Sequence, residues 1–403
     1  MKVAVIGGGA GGFFAAISVK EHHPTAEVTI FEKSQKTLSK VKVSGGGRCN
    51  VTNGTSSIKE LSAAYPRGGK FLKKIFPQFN TKHTISWFES RGVPLVTQSD
   101  NCVFPVSQNS QSIIDCFLKE TKRLNINIAL GQVVQEIIPD GEQLTIRFRD
   151  GDITKTFDKV ILATGGSPKR AGLDWLASLG HQIENPVPSL FTFNMPKESI
   201  TQLMGIVVEN TQVHIQGEKL KSDGPLLITH WGMSGPAILK LSAFGARKLE
   251  ENNYNFKIQV NWVNEHNYNQ VKNSIQSISH DHSNKLLANY RPYALPDRLW
   301  LFLLAKVDLP PHKRWSELGN KGCNKLVNVL TNDIYSVQGK TTFKEEFVTC
   351  GGISLESINN QTMESKACKN LYFTGELMDI DGITGGYNFQ AAWTTAFIAG
   401  KLK

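Results

Sequence analysis

The chain is predicted to adopt an α/β fold that opens with a βαβ unit, is interrupted by an inserted region and is completed by the C-terminal residues. Three observations predict this. A buried-strand run, Val3 to Ile6, meets a glycine-rich turn, a small-residue helix from Phe13 to about Lys20, and a second strand from Glu27 to Glu32. From about residue 188 the pattern changes to spaced strand signals with Pro/Gly turns, and 266–330 is richer in Asn, Lys and helical spacing, as at Leu299, Leu303 and Leu304. Around Cys350 the glycine turns return, followed by an apolar strand from Asn370 to Thr374 and a final helix that reads as amphipathic.

The opening turn carries the first chemistry. Gly7-x-Gly9-x-x-Gly12 follows a strand, opens a helix and precedes Glu32, twenty residues beyond Gly12 at the end of the second strand. This is the context in which glycines serve a dinucleotide: Gly7 permits the tight turn, Gly9 admits a pyrophosphate to the backbone, and Gly12 lets helix and strand pack closely. The helix N-terminus supplies donors and positive potential, with Gly11 in its first turn. Glu32 can accept from the adenosine ribose hydroxyls. An acid there favours FAD or NAD over NADP, and the adjacent Lys33 does not reverse that. A merely tight βα turn is the bland alternative.

Past the second strand, Ser44, Gly45, Gly46, Arg48, Cys49, Asn50, Thr52 and Asn53 concentrate small residues, hydroxyls, amides and one cation in ten positions. Such a loop suits an anion or a flavin ring approached by backbone. Cys49 reads either as a redox thiol or as a small buried residue beside a cofactor, and no partner cysteine is near it in sequence. Period-two alternation near 132–149 indicates a hairpin, and Val134 within it is a candidate cofactor-binding residue. The run Lys159 to Thr164 is another buried strand, ending at Gly165 and Gly166.

Composition bounds the rest. At 403 residues, with 40% hydrophobic and 20% charged, the chain is an ordinary globular protein of about two or three domains, not a disulfide scaffold or a disordered segment. Its net charge of +10 favours an anionic partner such as a nucleotide, RNA or a phosphate-bearing substrate. The six cysteines form no C-x-x-C, so no zinc knuckle or dithiol redox pair is encoded locally, and a reducing, cytoplasmic setting is expected with no metal. The apolar start is broken by five glycines among residues 7–12, which argues against a signal peptide, and no run reaches about 18 apolar residues, so no membrane span is expected.

These motifs, together with Thr229-His-Trp-Gly-Met-Ser-Gly-Pro-Ala237, Gly351-Gly352, Thr374-Gly-Glu376 and Asp379 through Gln390, resemble the BaiN-like or YhiN-like bacterial flavoproteins over nearly the whole chain. The resemblance implies a Rossmann-like FAD-binding domain, discontinuous in sequence, with an inserted β-barrel-like domain and a small helical domain. The corresponding divisions are 1–188 for the first part of the FAD-binding domain, 189–262 for the β-rich insert, 263–332 for the helical insert and 333–403 for the return. It implies that Gly375, Glu376 and Asp379 lie near the ribitol or pyrophosphate, that Thr164, Gly165 and Gly166 mark a crossing point, and that Lys40 belongs to the cofactor loop. Gly385, Gly386, Tyr387, Asn388 and Phe389 would present helix donors to the flavin pyrimidine. Glu376 as a helix N-terminal acid and Asn388 as a simple N-cap are the plain readings.

His230 is the single candidate for proton transfer, because imidazole titrates near neutrality, although an ordinary structural histidine fits it as well. Ser234 followed by Pro236 also reads as a helix start. Leu38-Ser39 replaces a Gly-Arg pair usual in the family, Lys42 fills an apolar slot, the run after Gly166 is short, and Trp231 replaces Arg in some relatives. The resemblance implies an FAD-dependent oxidoreductase that draws on NAD(P)H and reduces an activated carbon–carbon double bond. Uridine in ribosomal RNA is the leading substrate class and a small enone such as a steroid-like acid the alternative. A third reading is an RNA-binding or interaction protein with structural FAD. Oligomeric state is not encoded.

Overall fold

A computed structural model describes residues 1–149, 153–341 and 348–403. The chain divides into two compact units, one of Met1–Ser189 with Phe343–Lys403 and one of Leu190–Thr342.

The first unit is built on a five-stranded sheet, wholly parallel, in the spatial order Leu371–Phe373, Lys159–Leu162, Lys2–Ile6, Glu27–Glu32, Asn127–Leu130. Numbered along the chain, this is the 3-2-1-4-5 arrangement read from the other edge, the Rossmann-like order. Strand order reverses beside the first strand, and ligands of such sheets bind outside the carboxyl ends at that point. Helix Ala10–His22 buries every residue from Gly12 to Val19, because the last helix, Tyr387–Ala399, packs on it. That last helix has no exposed residue, which corrects the expectation of an amphipathic element: Trp393 lies 5.4 Å from Phe14 and 5.6 Å from Phe117, ring centre to ring centre, and Gln390 is buried inside a polar network. A helix surrounded by packing partners needs no polar face.

The hairpin expected near 132–149 is present as Val134–Asp140 and Gln143–Phe148, and a third strand, Thr154–Phe157, extends it. Two short antiparallel strands, Ile183–Pro188 and Thr349–Ile353, pair where the chain leaves and re-enters the unit.

The second unit holds a seven-stranded sheet in the order Asp333–Gln338, Asn255–Asn261, Val207–Ile215, Lys221–Thr229, Gly232–Ser234, Thr192–Asn194, Lys340–Thr341, with every pairing antiparallel. Its two outermost strands are separated in the chain by Gly339 alone, so the sheet curls until its edges approach, as a barrel does. Pro236 at the first helical position opens helix Pro236–Glu251 after Ser234 and Gly235. Helices Tyr268–Asp281, Asp297–Lys306 and Gly319–Thr331 share one core with the strands, in which Trp300 and Trp315 stack 6.2 Å apart.

Candidate functional site

The glycine turn shows why each glycine is there. At Gly7, φ is +112°, and a Cβ would stand 2.4 Å from the Ala163 carbonyl oxygen; at Gly12 it would stand 1.9 Å from the Gly7 carbonyl oxygen. Both approaches exclude any side chain. Gly9 differs, since among the described residues nothing lies within 4 Å of a Cβ built there. The helix it introduces has no side-chain cap, an arrangement in which first-turn N–H groups can donate to an anionic ligand. Glu32 accepts the Gly8 N–H at 2.7 Å through one oxygen and the Ser34 N–H and hydroxyl at 2.8 Å through the other. Gln132 donates its N–H to the Glu32 carbonyl at 2.9 Å, which brings the segment leading to Val134 beside the same strand end. Lys33 is exposed there.

A second group gathers at the ends of the neighbouring strands. Lys40 Nζ lies 2.8 Å from Glu376 Oε2, while Glu376 Oε1 accepts the Thr349 N–H at 2.9 Å. Gly166 leaves room for that carboxylate: a Cβ there would meet Glu376 Oε1 at 2.7 Å. Thr164 and Gly165, the latter at φ +73°, carry the chain from the strand end to Gly166. Gly375 donates its N–H to the Thr395 hydroxyl at 3.0 Å, and Asp379 accepts the Gly351 N–H at 2.8 Å. Thr349 Oγ1 is buried and, among the described residues, has no hydrogen-bond partner; its N–H is held by Glu376.

The third group is the loop from Ser44 to Asn53 and the turn before the last helix. Gly45, Gly46 and Gly47 follow one another at φ +58°, +67° and +85°, and Cys49 is also left-handed at +63°. Arg48 folds over its own loop, Nε to the Gly45 carbonyl at 3.2 Å and its guanidinium 4.1 Å from the Phe104 ring centre. Burial pushes the Cys49 thiol up to about 12, offset a little by the Ser44 hydroxyl, so Cys49 is a small packed residue and no thiolate nucleophile. Asn53 Nδ2 donates to the Gly385 carbonyl at 3.0 Å, and Thr52 donates to Gln390 Oε1 at 2.5 Å. A Cβ on Gly386 would lie 2.3 Å from the Thr52 carbonyl oxygen and 2.7 Å from Asn50 Oδ1. Asn388 is not the helix cap of the plain reading: it bridges back to Gly382, accepting its N–H at 2.8 Å and donating to its carbonyl at 3.0 Å. Gly386 takes the cap position without a side-chain bond. Tyr387 accepts the Tyr65 hydroxyl at its carbonyl, and Phe389 stacks on Trp393 5.5 Å away.

His230 belongs to the second unit, exposed at the turn joining Lys221–Thr229 to Gly232–Ser234, with its ring 4.3 Å from and nearly perpendicular to that of Trp231. Leu38 is buried at φ +56°, a left-handed backbone at the position where the resemblance makes glycine the expected residue. The sequence reading missed the buried pair Arg67 and Asp381 and the buried amide Gln390. Two donors from Arg67 reach both oxygens of Asp381, and Ser189 adds a third. No local pattern joins residues this far apart in the chain.

An open position at Gly9, an uncapped helix behind it, an acid after the second strand and an orphaned hydroxyl at Thr349 fit a bound FAD. The family model described as HI0933-like protein Rossmann domain matches residues 1–402. The chain is 27% identical to a 3-dehydro-bile acid delta(4,6)-reductase of Clostridium scindens, covering 99% of this chain and 98% of that one. It is 28% identical to a ribosomal RNA dihydrouridine synthase of Escherichia coli, covering 98% and 95%. Among solved structures, a 3-ketosteroid delta1-dehydrogenase of Sterolibacterium denitrificans matches at a TM-score of 0.54 with 12% identity over 99% of this chain and 98% of that one, a likeness of fold.

Proposed function

The chain belongs to the HI0933-like Rossmann-domain family, and on that premise we propose that it reduces an activated carbon–carbon double bond, with uridine in ribosomal RNA, converted to dihydrouridine, as the leading substrate class. The family is one of FAD-binding flavoprotein oxidoreductases. Among the described residues, no helix is long and apolar enough to cross a membrane. We place the protein in the cytoplasm, where ribosomal RNA is met, with NAD(P)H as reductant.

In this reading the chain's own residues divide the work. The Gly7 to Gly12 turn receives the pyrophosphate, and Glu32 receives the adenosine ribose. Lys33 and Val134 would be further cofactor contacts and Thr164, Gly165 and Gly166 a crossing point of the flavin domain, while Lys40, Gly375, Glu376 and Asp379 would lie near the ribitol or pyrophosphate. The loop from Ser44 to Asn53 and the turn from Gly385 to Phe389 would hold the ring, and the last helix's amides would favour negative charge on it. FAD, when bound, would supply the hydride for one carbon of the double bond. The neighbouring carbon then gains a proton, which His230 or water provides, so that one hydride and one proton saturate the bond.

The observation that carries the RNA reading is the net charge of +10, supported by full-length similarity to two ribosomal RNA dihydrouridine synthases. Similarity of the same extent to the bile acid reductase favours a small enone as the second reading. The test is to reduce the FAD-loaded protein anaerobically and offer ribosomal RNA free of dihydrouridine, then a panel of enones. Reoxidation by RNA, with binding that weakens steeply as salt rises, supports the first reading. Reoxidation by an enone alone assigns the second. A flavin that turns over with neither, beside salt-sensitive RNA binding, would leave FAD a structural role.

A further inference from the structure

We propose that Arg67 and Asp381, with Ser189, are positioning residues that hold the Gly382–Gly386 turn, and through it the start of the last helix, in register with the flavin ring. This rests on the FAD reading above. Asp381 is wholly buried, and the Arg67 side chain is only 11% exposed. Arg67 Nε donates to Asp381 Oδ1 at 2.6 Å, Arg67 Nη2 donates to Oδ2 and to the Ser189 hydroxyl, and that hydroxyl donates to Oδ2. The main chains of Arg67 and Asp381 also form an antiparallel bridge. Burial pushes the Asp381 carboxyl up, and the guanidinium and hydroxyl oppose that.

An ion pair this deep is a weak device for stability, since desolvation consumes most of its attraction. Its location accounts better for it. Directly after Asp381, Gly382 is clamped through its N–H and carbonyl by Asn388, Ile383 donates its N–H to the Ala64 carbonyl at 3.0 Å, and the Gly385 carbonyl is held by Asn53. The turn is thus fastened along its length, while the helix it opens has no side-chain cap. Donors left free but rigidly aimed are what a ring that gains negative charge requires. Arg67 is placed for this by Gly68 at φ +79°, where a Cβ would strike Ile380 Cγ1 at 2.6 Å. The planar two-donor fork is the part that matters, and an ammonium in its place cannot reach both oxygens in one plane.

The experiment compares the FAD-loaded parent with Asp381→Asn, Arg67→Lys and Ser189→Ala, measuring FAD dissociation, the visible flavin spectrum, the flavin midpoint potential and the melting temperature. Misplacing a reacting group by about 1 Å costs on the order of 100-fold in rate. We expect Asp381→Asn and Arg67→Lys to keep FAD, because the adenosine end is untouched, yet to lower the midpoint potential, shift the visible bands and slow flavin reduction by roughly that factor. Ser189→Ala, which leaves the fork intact, should move each readout in the same direction by less. If the two fork variants do not fold, Ser189→Ala decides alone. A lower melting temperature with spectrum and potential unchanged would overturn the proposal, since that is what a purely structural pair predicts. A parent protein that binds no FAD would instead overturn the function reading beneath it.

Discussion

The Glu32 carboxylate accepts the backbone N–H of Gly8 at 2.7 Å, so the acid after the second strand and the glycine turn after the first are tied together. With Ser34 donating twice to the other oxygen, the carboxylate keeps about one of its roughly four lone-pair sites, on the oxygen that accepts from Gly8, for a ribose hydroxyl. Glu32→Ala should weaken FAD binding about 10- to 100-fold, the range expected for a hydrogen bond to a charged acceptor. Flavin fluorescence titration checks it. His230→Ala should bind FAD like the parent and slow the protonation step, and equal FAD loss in both variants would refute the division of roles.

Gly9 and Gly12 separate ligand approach from chain packing. Gly12→Ala drives a Cβ to 1.9 Å from the Gly7 carbonyl oxygen and should destabilise the protein by a few kcal/mol, about 1–3, as overpacking does. Gly9→Ala meets nothing within 4 Å, so the protein should fold within about 1 kcal/mol of the parent. The added methyl would occupy the path of the pyrophosphate, and FAD affinity should fall by at least about tenfold, ~1.4 kcal/mol. Melting curves with and without FAD distinguish the two.

Cys49 links stability to pH. Its thiol has an ordinary value of 9.0 and is pushed up to about 12 by burial, so the unfolded chain releases that proton first. The stabilisation from this residue is complete below about pH 9 and is lost as the pH rises from there towards 12, at up to about 1.4 kcal/mol per pH unit. Urea midpoints of the parent should therefore fall more steeply above pH 9 than those of Cys49→Ala. The same burial predicts that iodoacetamide leaves Cys49 unmodified in the folded protein at pH 8. Labelling there would contradict it.

Much of the cofactor unit was legible because its signals are local. Gly7, Gly9, Gly12 and Glu32 lie within one βαβ unit, and each constraint is visible in a few neighbouring residues. Pro236 likewise announced its helix. What stayed hidden depends on pairs distant in the chain: Lys40 with Glu376, Asn53 with Gly385, and Arg67 with Asp381 and Ser189. A carboxylate carries no mark of which distant cation will meet it. The last helix was misread because small and apolar residues beside Gln390 and the threonines look amphipathic, whereas burial of those polar groups rests on Thr52 and Thr84 arriving from elsewhere. Leu38 shows a converse case, a left-handed position filled by an apolar residue whose burial compensates for its backbone.

The most direct test of the central claim is an anaerobic absorption spectrum of the protein loaded with FAD, followed through addition of NADH or NADPH and then of substrate. The account predicts stoichiometric FAD, visible bands that bleach with the reductant, and their return with one substrate class and not the other. A folded protein that takes up no FAD under any loading condition would contradict it.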